Sequence, residues 1–429
     1  MTETVLLVGG GGREHAVARA LADDVELYAC ASNRNPGIAR LAAGFSEVDE
    51  RDTAAVVSYA TSVDADLAVI GPESALAAGV ADALADAGVY TFGPSADAAR
   101  IETDKQFQRS FMREQAIPGC PEFETFDDSE AAASYVAAVE HDVAVKPAGL
   151  TGGKGVRVTG DQLTREEAVS YVRESTYDEW VIEERLIGEE FTVQAFVADG
   201  EVRPTPAVQD HKRAYEGDEG PNTGGMGSYS APERTLPFLS DADYERAVEI
   251  LEATVDALPA YEGVLYGQFM ATADGVAVVE FNARFGDPEA TNTLPVMETP
   301  LIDVLTAARD GEPLPELSFA PTATVCKYAV PEGYPTDPAG GTKIEIDESS
   351  AGDALLFYAS VDERADGLYT TTSRAMAVVG TGSTISEAET VASDALAAAG
   401  EGLRYRTDVG TAALVEQRVD HVTELRGEG

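Results

Sequence analysis

The feature that most restricts the fold of this chain is a pair of strand-like runs joined by a very short turn. The runs span residues 265–272 and 276–282, and both are mostly apolar. The turn between them, residues 273–275, ends in Gly275, which supplies the positive φ angle that a tight hairpin requires. The chain is therefore predicted to form an antiparallel hairpin here, with a three-residue loop.

Three oxygen-bearing side chains fall on one face of that hairpin. Glu280 and Asn282 are two residues apart and so point to the same side of a strand, and a three-residue loop places Gln268 opposite Glu280. A hard cation such as Mg²⁺ takes oxygen ligands of this kind and is often bound together with phosphates. A half-buried hairpin whose polar face meets only water has the same pattern, so the hairpin alone leaves both interpretations open.

The net charge limits the partners of a chain of 429 residues, a length that predicts roughly two to four domains. Acidic residues outnumber basic ones by 76 to 30, and the net charge of −46 repels nucleic acids and anionic membranes. The acidic residues are dispersed, and only six of the basic residues are lysines. This surface is typical of a protein in a salt-rich cytoplasm, where screening weakens self-repulsion; a merely acidic protein from an ordinary cytoplasm is the less favoured alternative.

Cysteine usage and hydropathy predict a cytoplasmic protein. Cys30, Cys120 and Cys326 are odd in number, far apart and in no CxxC spacing, so we expect neither a zinc site nor disulfides. The apolar run at residues 5–8 is too short for a signal peptide, and no run approaches the roughly 20 apolar residues of a transmembrane helix. We expect a monomer without nucleic-acid or membrane partners.

Residues 1–103 alternate apolar strands with helices, which indicates a parallel α/β sheet. Ligands usually bind at the carboxyl ends of such strands. The loops at these ends span residues 9–12, 32–37 and 71–73.

The first of these loops is not a dinucleotide-binding turn. Glu14 and His15 stand where its last glycine would be needed, and Asn33 follows the second strand where an acid would hold a ribose. A glycine-rich turn before a helix can still bind an anionic substrate group through its N–H groups. A turn that serves packing alone remains the alternative.

A second region, residues 104–320, contains lysines at positions that suit a phosphate site. Lys105 begins a helix, Lys146 ends a strand, and Lys154 lies in a glycine-rich loop at residues 150–156. A glycine loop between two antiparallel strands can close over a polyphosphate. Because the chain has so few lysines, these three are predicted to contact a ligand.

The remaining segments carry weaker signals. Residues 209–232 are predicted to form a long polar loop, and His211 within it is favoured as a structural residue over a general base. Residues 240–258 form an amphipathic helix capped by Ser240. Residues 321–429, with a helix capped by Ser386, are predicted to form an α+β domain that supports or closes the site.

Several segments that carry a family resemblance are spread along the whole chain. They are GGGGREHA at 9–16, GPE at 71–73, GGKG at 152–155, EERLIGEE at 183–190, QDHKR at 209–213, GPNTGGMG at 220–227 and EFNARFGDPE at 280–289. With them, the chain resembles the phosphoribosylamine–glycine ligase (glycinamide ribonucleotide synthetase) family of the ATP-grasp superfamily. The last three segments are specific to this family, whereas the lysines, the glycine loop and the metal pattern are shared by the superfamily.

The resemblance implies an α/β and α+β multidomain protein with the ATP-grasp fold. An N-terminal parallel α/β domain is expected at residues 1–103 and an ATP-grasp domain at 104–320. A mobile lid is expected at about 121–183 and a small C-terminal α+β domain at 321–429.

The resemblance also implies a role for each matching residue. ATP, a co-substrate, is expected to contact Lys105, Lys146, Gly152, Gly153, Lys154, Gly155, Glu183, Glu184, Leu186 and either Glu189 or Glu190. Mg²⁺ or Mn²⁺ is expected on Gln268, Glu280 and Asn282, in agreement with the hairpin face. The substrates are expected to contact Gly10, Gly11, Gly12, Arg13, Glu14, Asn222 and Gly225, with catalytic roles for Asp210, Lys212, Arg284 and Asp287.

Two positions depart from the family pattern. Pro147-Ala148 stands where Ala-Asp is usual, which puts the contacts of the closed lid in doubt, and Arg185 stands where an aromatic residue is common. The resemblance implies that ATP phosphorylates glycine to glycyl phosphate, which the amine of 5-phosphoribosylamine then attacks. The alternatives are an ATP-grasp ligase with another acid or amine, a nicotinamide oxidoreductase, and an inactive nucleotide-binding protein.

Overall fold

The computed structural model describes residues 2–150 and 155–427. The first part of the chain alternates strands and helices as predicted. Its elements are β1 (Thr4–Val8), α1 (Gly12–Leu21), β2 (Glu26–Ala31), α2 (Pro36–Leu41), β3 (Gly44–Glu47), α3 (Thr53–Ser62), β4 (Leu67–Ile70), α4 (Glu73–Ala77), α5 (Val80–Asp86), β5 (Tyr90–Phe92) and α6 (Arg100–Thr103). The strands form a parallel sheet in the order β3-β2-β1-β4-β5.

Strand β1 lies at the centre of this sheet and is buried on both faces. Val5 and Leu7 pack into one hydrophobic cluster, whereas Leu6 and Val8 pack into another. Because successive side chains of a strand point to opposite faces, helices must cover the sheet on both sides, as is usual for parallel sheets.

The helical segment between β4 and β5 is divided in two. Helix α4 ends at Ala77, and Gly79 adopts a φ of 80° before α5 begins. A right-handed helix requires negative φ, so the backbone at Gly79 interrupts it, and glycine accepts this conformation without steric cost.

The next part of the chain contains a small antiparallel sheet with its own core. Its elements are α7 (Lys105–Glu114), β6 (Phe123–Phe126), α8 (Ser129–Ala138), β7 (Val143–Pro147), β8 (Arg157–Val158), α9 (Arg165–Glu174) and β9 (Trp180–Glu184). The strand order is β6-β9-β7-β8, and α8 and α9 pack around the buried Trp180. Strands β6 to β9 with α8 and α9 occupy the residues predicted for the lid, about 121–183, whose mobility stays a prediction.

In the described part of the chain, a long antiparallel sheet of ten strands follows the lid. The elements that follow the lid are β10 (Gly188–Ala198), β11 (Glu201–Pro204), β12 (Val208–Asp210), β13 (Arg213–Tyr215), β14 (Glu219–Asn222), β15 (Gly227–Ser230), α10 (Asp241–Ala257), β16 (Gly263–Thr272), β17 (Gly275–Asn282), α11 (Glu289–Thr293) and α12 (Leu301–Asp310). The long polar loop predicted at residues 209–232 is therefore wrong, because this segment contains strands β12 to β15. The cap of α10 by Ser240 is confirmed.

The C-terminal part continues the same sheet. Its elements are β18 (Ala323–Pro331), β19 (Lys343–Ile344), β20 (Leu355–Tyr358), β21 (Val361–Arg364), β22 (Gly367–Thr370), β23 (Met376–Gly382), α13 (Ile385–Ala395), β24 (Leu403–Tyr405) and α14 (Ala412–Arg426). The order β17-β16-β10-β12-β15-β18-β23-β20 crosses the predicted boundary at residue 320, because β15 pairs with β18. The domain limits at 103 and 320 stay predictions.

Short 3-10 helices lie at Glu216–Asp218, Leu294–Val296, Glu348–Ala351 and Leu396–Ala398. Helix α13 is capped by Thr384, which accepts from the N–H of Glu387, so the predicted cap at Ser386 is wrong. In the part of the chain that the structure describes, every helix is too short or too polar to cross a bilayer.

Candidate active site

A cavity of about 440 Å³ lies where the parts of the chain meet. Arg13 of the first sheet region, Lys146 of the lid, Glu280 of the central hairpin and Arg374 of the C-terminal part all line it. Its volume is in the range of small-molecule sites. The cavity therefore brings together side chains that are hundreds of residues apart in the chain.

The hairpin of β16 and β17 forms one wall, and its loop differs from the prediction. Thr272 pairs with Gly275, so the loop has two residues instead of three. A β-bulge at Val279 adds one residue to β17 and restores the pairing of Gln268 with Glu280. Asn282 Nδ2 donates to Glu280 Oε1 at 3.5 Å, which places the three predicted metal ligands on one face.

The ammonium groups around this face control the charge of Glu280. Lys212 Nζ lies 3.6 Å from Glu280 Oε1 and also contacts the amide oxygen of Gln268. Burial alone would favour the neutral acid, but Lys212, Lys105 and Lys146 outweigh it and lower the pKa of Glu280 to about 2. Glu280 is thus an anion at neutral pH.

The chemistry of this donor set fits a divalent cation. One carboxylate and two amide side chains supply oxygen atoms, which Mg²⁺ and Mn²⁺ prefer. Over residues 2–150 and 155–427, no three His, Cys, Asp or Glu side chains converge to hold a metal. The mixed face of Gln268, Glu280 and Asn282 is therefore the candidate.

Glu183 is buried in an ion-pair network instead of facing the cavity as a free acid. Its carboxylate binds Arg109 Nε at 2.8 Å and Lys146 Nζ at 2.7 Å. The carbonyl of the bulge residue Val279 accepts from both cations, at 2.7 Å from Arg109 and 3.0 Å from Lys146. The network thus fixes Lys146 against the wall that carries Glu280.

Glu189 and Glu190 point to opposite sides of β10. Glu190 lines the cavity and accepts from the amide of Gln268. Glu189 is buried on the other side, where Arg418 Nε lies 3.2 Å and His421 Nδ1 2.5 Å from its oxygens. Of the two predicted alternatives, Glu190 is the residue in the cavity, whereas Glu189 attaches helix α14 to the back of the sheet.

The glycine turn before α1 is occupied by carboxylates of the protein itself. The N–H of Gly11 donates to Glu14 Oε2 at 2.7 Å, and the N–H of Arg13 donates to Asp287 Oδ2 at 3.4 Å. Burial raises the pKa of Glu14, against the effect of Arg13. Arg13 lines the cavity, and the expected contact of the turn with an anionic substrate stays a prediction.

Asp287 joins the N-terminal and C-terminal parts of the chain at the cavity wall. Its Oδ1 accepts from Tyr328 Oη at 2.6 Å and lies 3.1 Å from Arg374 Nη2. Arg374 Nη1 also donates to the carbonyls of Gly224, at 2.6 Å, and Gly225, at 3.1 Å. Sequence reasoning missed Arg374, because no local pattern marks it and its partners lie far away in the chain.

Arg284 is held between two carboxylates that also line the cavity. Its Nη2 lies 2.8 Å from Glu102 Oε1, and its Nε lies 3.7 Å from Glu73 Oε2. Burial raises the pKa of Glu102 to about 7 in spite of Arg284, whereas Arg284 and Arg13 overcome the same burial effect and lower the pKa of Glu73. The GPE segment pointed to Glu73, but nothing in the sequence pointed to Glu102.

Asp210 and Glu289 also line the cavity, close enough to Lys212 for their charges to act on it. Glu289 Oε1 accepts from Tyr266 Oη at 2.9 Å and from Thr192 Oγ1 at 3.1 Å. Asp210 Oδ1 is buried and has no hydrogen-bond partner. Burial and the neighbouring Glu289 carboxylate raise the pKa of Asp210, against the effect of Lys212.

The predicted site residues divide into three groups. Those that line the cavity are Arg13, Lys105, Lys146, Glu183, Glu184, Leu186, Glu190, Asp210, Lys212, Asn222, Gln268, Glu280, Asn282, Arg284 and Asp287. Those that lie outside its lining are Gly10, Gly11, Gly12, Glu14, Gly155, Glu189 and Gly225. Gly152, Gly153 and Lys154 lie outside the described residues.

The two departures from the family pattern have local partners. The carbonyl of Ala148 accepts from the N–H of Lys105 at 2.9 Å, which links the end of the lid strand to the start of α7. Arg185 lines the cavity and lies 3.7 Å from Asp142. Both residues are thus accommodated by local contacts. Next to Arg185, the carboxylate of Glu184 accepts a hydrogen bond from Glu122 N–H at 2.9 Å.

The chain matches known proteins along most of its length. Family models described as the N, ATP-grasp (A) and C domains of phosphoribosylglycinamide synthetase match residues 3–102, 103–290 and 324–412. A phosphoribosylamine–glycine ligase of Methanopyrus kandleri is 50% identical, with 99% of each chain covered. One from Methanosarcina barkeri is 49% identical, with 99% of this chain and 100% of the relative covered.

Solved structures agree with this relationship. The crystal structure of phosphoribosylamine–glycine ligase from Thermotoga maritima is 26% identical and superimposes with a TM-score of 0.79, covering 94% of this chain and 99% of that one. A biotin carboxylase domain from Hydrogenobacter thermophilus, solved with MgADP, shares the fold alone, with a TM-score of 0.73 at 14% identity and coverage of 100% and 96%. The chain belongs to the phosphoribosylglycinamide synthetase family, that of the phosphoribosylamine–glycine ligases.

Proposed function

We infer that this protein is an ATP-dependent ligase that joins glycine to 5-phosphoribosylamine, giving glycinamide ribonucleotide, ADP and phosphate in purine biosynthesis. The observation that carries this conclusion is one cavity lined by the family-specific segments, including Asp210, Asn222 and Arg284, beside the lysines and the oxygen face of an ATP-grasp enzyme. The intact set of charged groups disfavours an inactive nucleotide-binding protein.

The chemistry accounts for the kind of residues in the cavity. A glycine carboxylate is a poor electrophile, so ATP first phosphorylates it to glycyl phosphate. The amine of 5-phosphoribosylamine then attacks the carbonyl carbon, a carbon–nitrogen bond forms, and phosphate leaves. Positioning and charge neutralisation suffice for both steps, and no covalent enzyme nucleophile is needed.

On the nucleotide side, Lys105 and Lys146 bind phosphates and Glu190 binds the ribose. The backbone of residues 183–186 binds adenine, while the Glu183 side chain keeps Lys146 in place through their 2.7 Å ion pair. The glycine loop with Gly152, Gly153, Lys154 and Gly155 covers the phosphates. Gln268, Glu280 and Asn282 would hold Mg²⁺ or Mn²⁺, which when bound neutralises phosphate charge.

On the substrate side, Arg284 and Lys212 stabilise the charge that moves from the γ-phosphate to the glycine carboxylate. Asp287 keeps the N-terminal turn and the C-terminal part together at the cavity through Tyr328 and the 3.1 Å contact with Arg374. The turn of Gly10, Gly11, Gly12, Arg13 and Glu14 faces the phosphoribosylamine, together with Asn222 and Gly225.

Isotope transfer tests this function directly. Glycine labelled with ¹⁸O in its carboxylate is expected to deliver one labelled oxygen to the released phosphate in each turnover, because the carboxylate oxygen attacks phosphorus. Mass spectrometry of the phosphate measures the transfer, and reactions without 5-phosphoribosylamine or without glycine are the controls. Product formation with unlabelled phosphate would contradict the mechanism.

We place this enzyme in a cytoplasm, as a monomer. Its three cysteines are free, and Cys30 and Cys326 are buried, which suits a reducing compartment. The positions of the lysines favour a salt-adapted surface. Lys105, Lys146 and Lys212 line the cavity, and Lys327 is buried in an ion pair with Glu389. Few of the six lysines therefore remain for the outer surface.

Salt should therefore stabilise the folded protein strongly. With a net charge of −46, self-repulsion in the compact state grows as the Debye length increases from ~3 Å at 1 M salt to ~30 Å at 0.01 M. We expect the melting temperature, measured by calorimetry, to rise steeply with KCl into the molar range. A flat profile would exclude salt adaptation of the surface.

A further inference from the structure

The family segment at residues 209–213 directs its side chains to two sides of the sheet. Asp210 and Lys212 line the cavity. Gln209 and His211 alternate with them, lie outside the lining and are only 2% and 3% exposed. Because alternate side chains of an extended chain point to opposite sides, these two face the rear of the sheet. What they meet there decides where the cavity residues of the segment lie.

Asp218 is the centre of an ionic network at this rear side. Its Oδ1 accepts from Arg406 Nη1 at 2.8 Å and lies 3.8 Å from His211 Nδ1. Its Oδ2 accepts from Arg418 Nη2. Arg406 is 1% exposed and also donates from Nη1 to the carbonyl of Arg213 at 3.0 Å. The network therefore holds the family segment at two points from behind.

Arg418, on helix α14, connects this network to the strand that carries the nucleotide-side acid. Its Nη1 donates to Glu189 Oε1 at 3.4 Å, while its Nη2 donates to Asp218. Glu189 directly precedes Glu190 on β10, and Glu190 lines the cavity. One guanidinium group from the C-terminal helix thus spans the rear of β10 and the rear of the family segment.

An arginine suits this position for a geometric reason. A guanidinium group is planar and holds two carboxylates in one fixed arrangement, whereas a lysine offers a single point charge on a flexible stem. The side chain of Arg418 is 14% exposed and that of Glu189 7%, so salt screens this pair less than it screens a surface pair. A displacement of about 1 Å between groups that react can cost roughly 100-fold in rate, even when its cause lies far from the chemistry.

We propose that Arg418 is a positioning residue for the ligase reaction, and that it fixes the segment of Asp210 and Lys212 against the strand of Glu190. The inference rests on the proposed function and adds to it a role for the C-terminal helix in aligning the substrate groups with the nucleotide. Arg418 lies outside the cavity lining, so it acts through these residues and not by contact with a ligand.

The Arg418→Met variant tests this role, because it keeps the apolar stem of the side chain and removes both ion pairs. Asp218 keeps its pair with Arg406 in the variant. Glu189 likewise keeps its contact with His421, so we expect the variant to fold. The link between the two acids is then the feature that is lost.

Steady-state kinetics of the full-length enzyme measure the effect. We expect kcat to fall by about 10- to 100-fold, the result of a small misalignment of reacting groups. The KM values for ATP and for glycine should each change less than about threefold, because the residues that contact these ligands remain.

Arg426→Met is the matched control on the same helix. Arg426 pairs with Asp243 of α10 at 2.8 Å and donates to the carbonyl of Thr272, at the end of β16. Its side chain is 16% exposed, close to the value for Arg418. Both variants should lower the melting temperature by similar amounts, whereas only Arg418→Met should lower kcat. A residue that merely attaches the helix predicts the same kcat in both variants.

Arg418→Lys provides a second measurement, which also serves if the methionine variant does not fold. It retains a positive charge between the acids, so we expect a melting temperature near that of the wild type. It should recover only part of kcat, because one ammonium group cannot hold both carboxylates in the arrangement that the guanidinium group imposes.

Three results would overturn the proposal. They are wild-type kcat in folded Arg418→Met, an equal fall of kcat in Arg418→Met and Arg426→Met, and full recovery of kcat in Arg418→Lys. A wild-type enzyme that does not join glycine to 5-phosphoribosylamine would instead refute the proposed function, and this inference with it.

Discussion

Replacing Glu280 by glutamine is expected to lower kcat by about a thousandfold, equivalent to about 4 kcal/mol of transition-state stabilisation. The substitution keeps the side-chain volume but removes the full negative charge among the three oxygen ligands. It also removes the counter-charge 3.6 Å from Lys212, so that Lys212 is free to occupy the face meant for the metal. Steady-state kinetics over a wide range of Mg²⁺ concentrations should show no recovery.

Gln268→Ala is the informative comparison for that experiment. Its amide is neutral, so water can replace it partly, and we expect activity to return at higher Mg²⁺ concentration. Glu280→Gln should remain folded, since the substitution avoids burying a charge. Near wild-type turnover in the folded Glu280 variant would exclude the proposed metal face.

The sequence predicted the face of this hairpin correctly, although it predicted the wrong loop. Glu280 and Asn282 are two residues apart in one strand, so their side chains point to the same side. This alternation depends only on local backbone geometry and therefore holds for any loop length. The register with Gln268 depends on both loop and bulge, and the two-residue loop and the bulge at Val279 compensate each other. Nothing in the run of small apolar residues around Val279 marks a bulge.

Long-range partners explain most of what the sequence could not predict. Arg374 binds the carbonyl of Gly224 across 150 residues, and Glu102 receives the N–H of Ala283 across 181 residues. Composition and periodicity carry no information on such pairs. The strands β12 to β15 were missed because each has only three or four residues and none shows the alternation expected of half-buried strands.

The carboxylate of Glu183, an acid of the family segment at 183–190, is engaged by cations of the protein itself. The carboxylate holds Lys146 and Arg109, and both cations donate to the carbonyl of Val279 on the strand that carries Glu280. The family resemblance implied a nucleotide contact for Glu183, because it lies in the segment EERLIGEE at 183–190. In the structure Glu183 lines the cavity, and its carboxylate is paired with Arg109 and Lys146.

Arg109→Leu is therefore expected to destabilise the protein by about 3–5 kcal/mol, the usual cost of breaking a buried pair and leaving a charge uncompensated. Arg109 is 1% exposed, and its loss leaves Glu183 with Lys146 alone. Urea unfolding measures the change. The control is Arg173→Leu, whose pair with Glu130 lies on the lid surface, where the arginine is 48% exposed and the change should stay below about 1 kcal/mol.

The pH dependence of the same variant supplies a second, independent measurement. Burial alone would raise the pKa of Glu183, but Arg109 and Lys146 outweigh it and lower that pKa below its ordinary value. A lowered pKa stabilises the folded state at pH values above the unfolded pKa, and this stabilisation disappears as the pH falls through the folded pKa. Without Arg109 the folded pKa rises, so acid unfolding should begin at a higher pH in Arg109→Leu than in the wild type or in Arg173→Leu. Because Lys146 loses its fixed position in the same variant, the KM for ATP should rise as well. An unchanged acid transition and an unchanged KM would show that the network does not hold Lys146 in place.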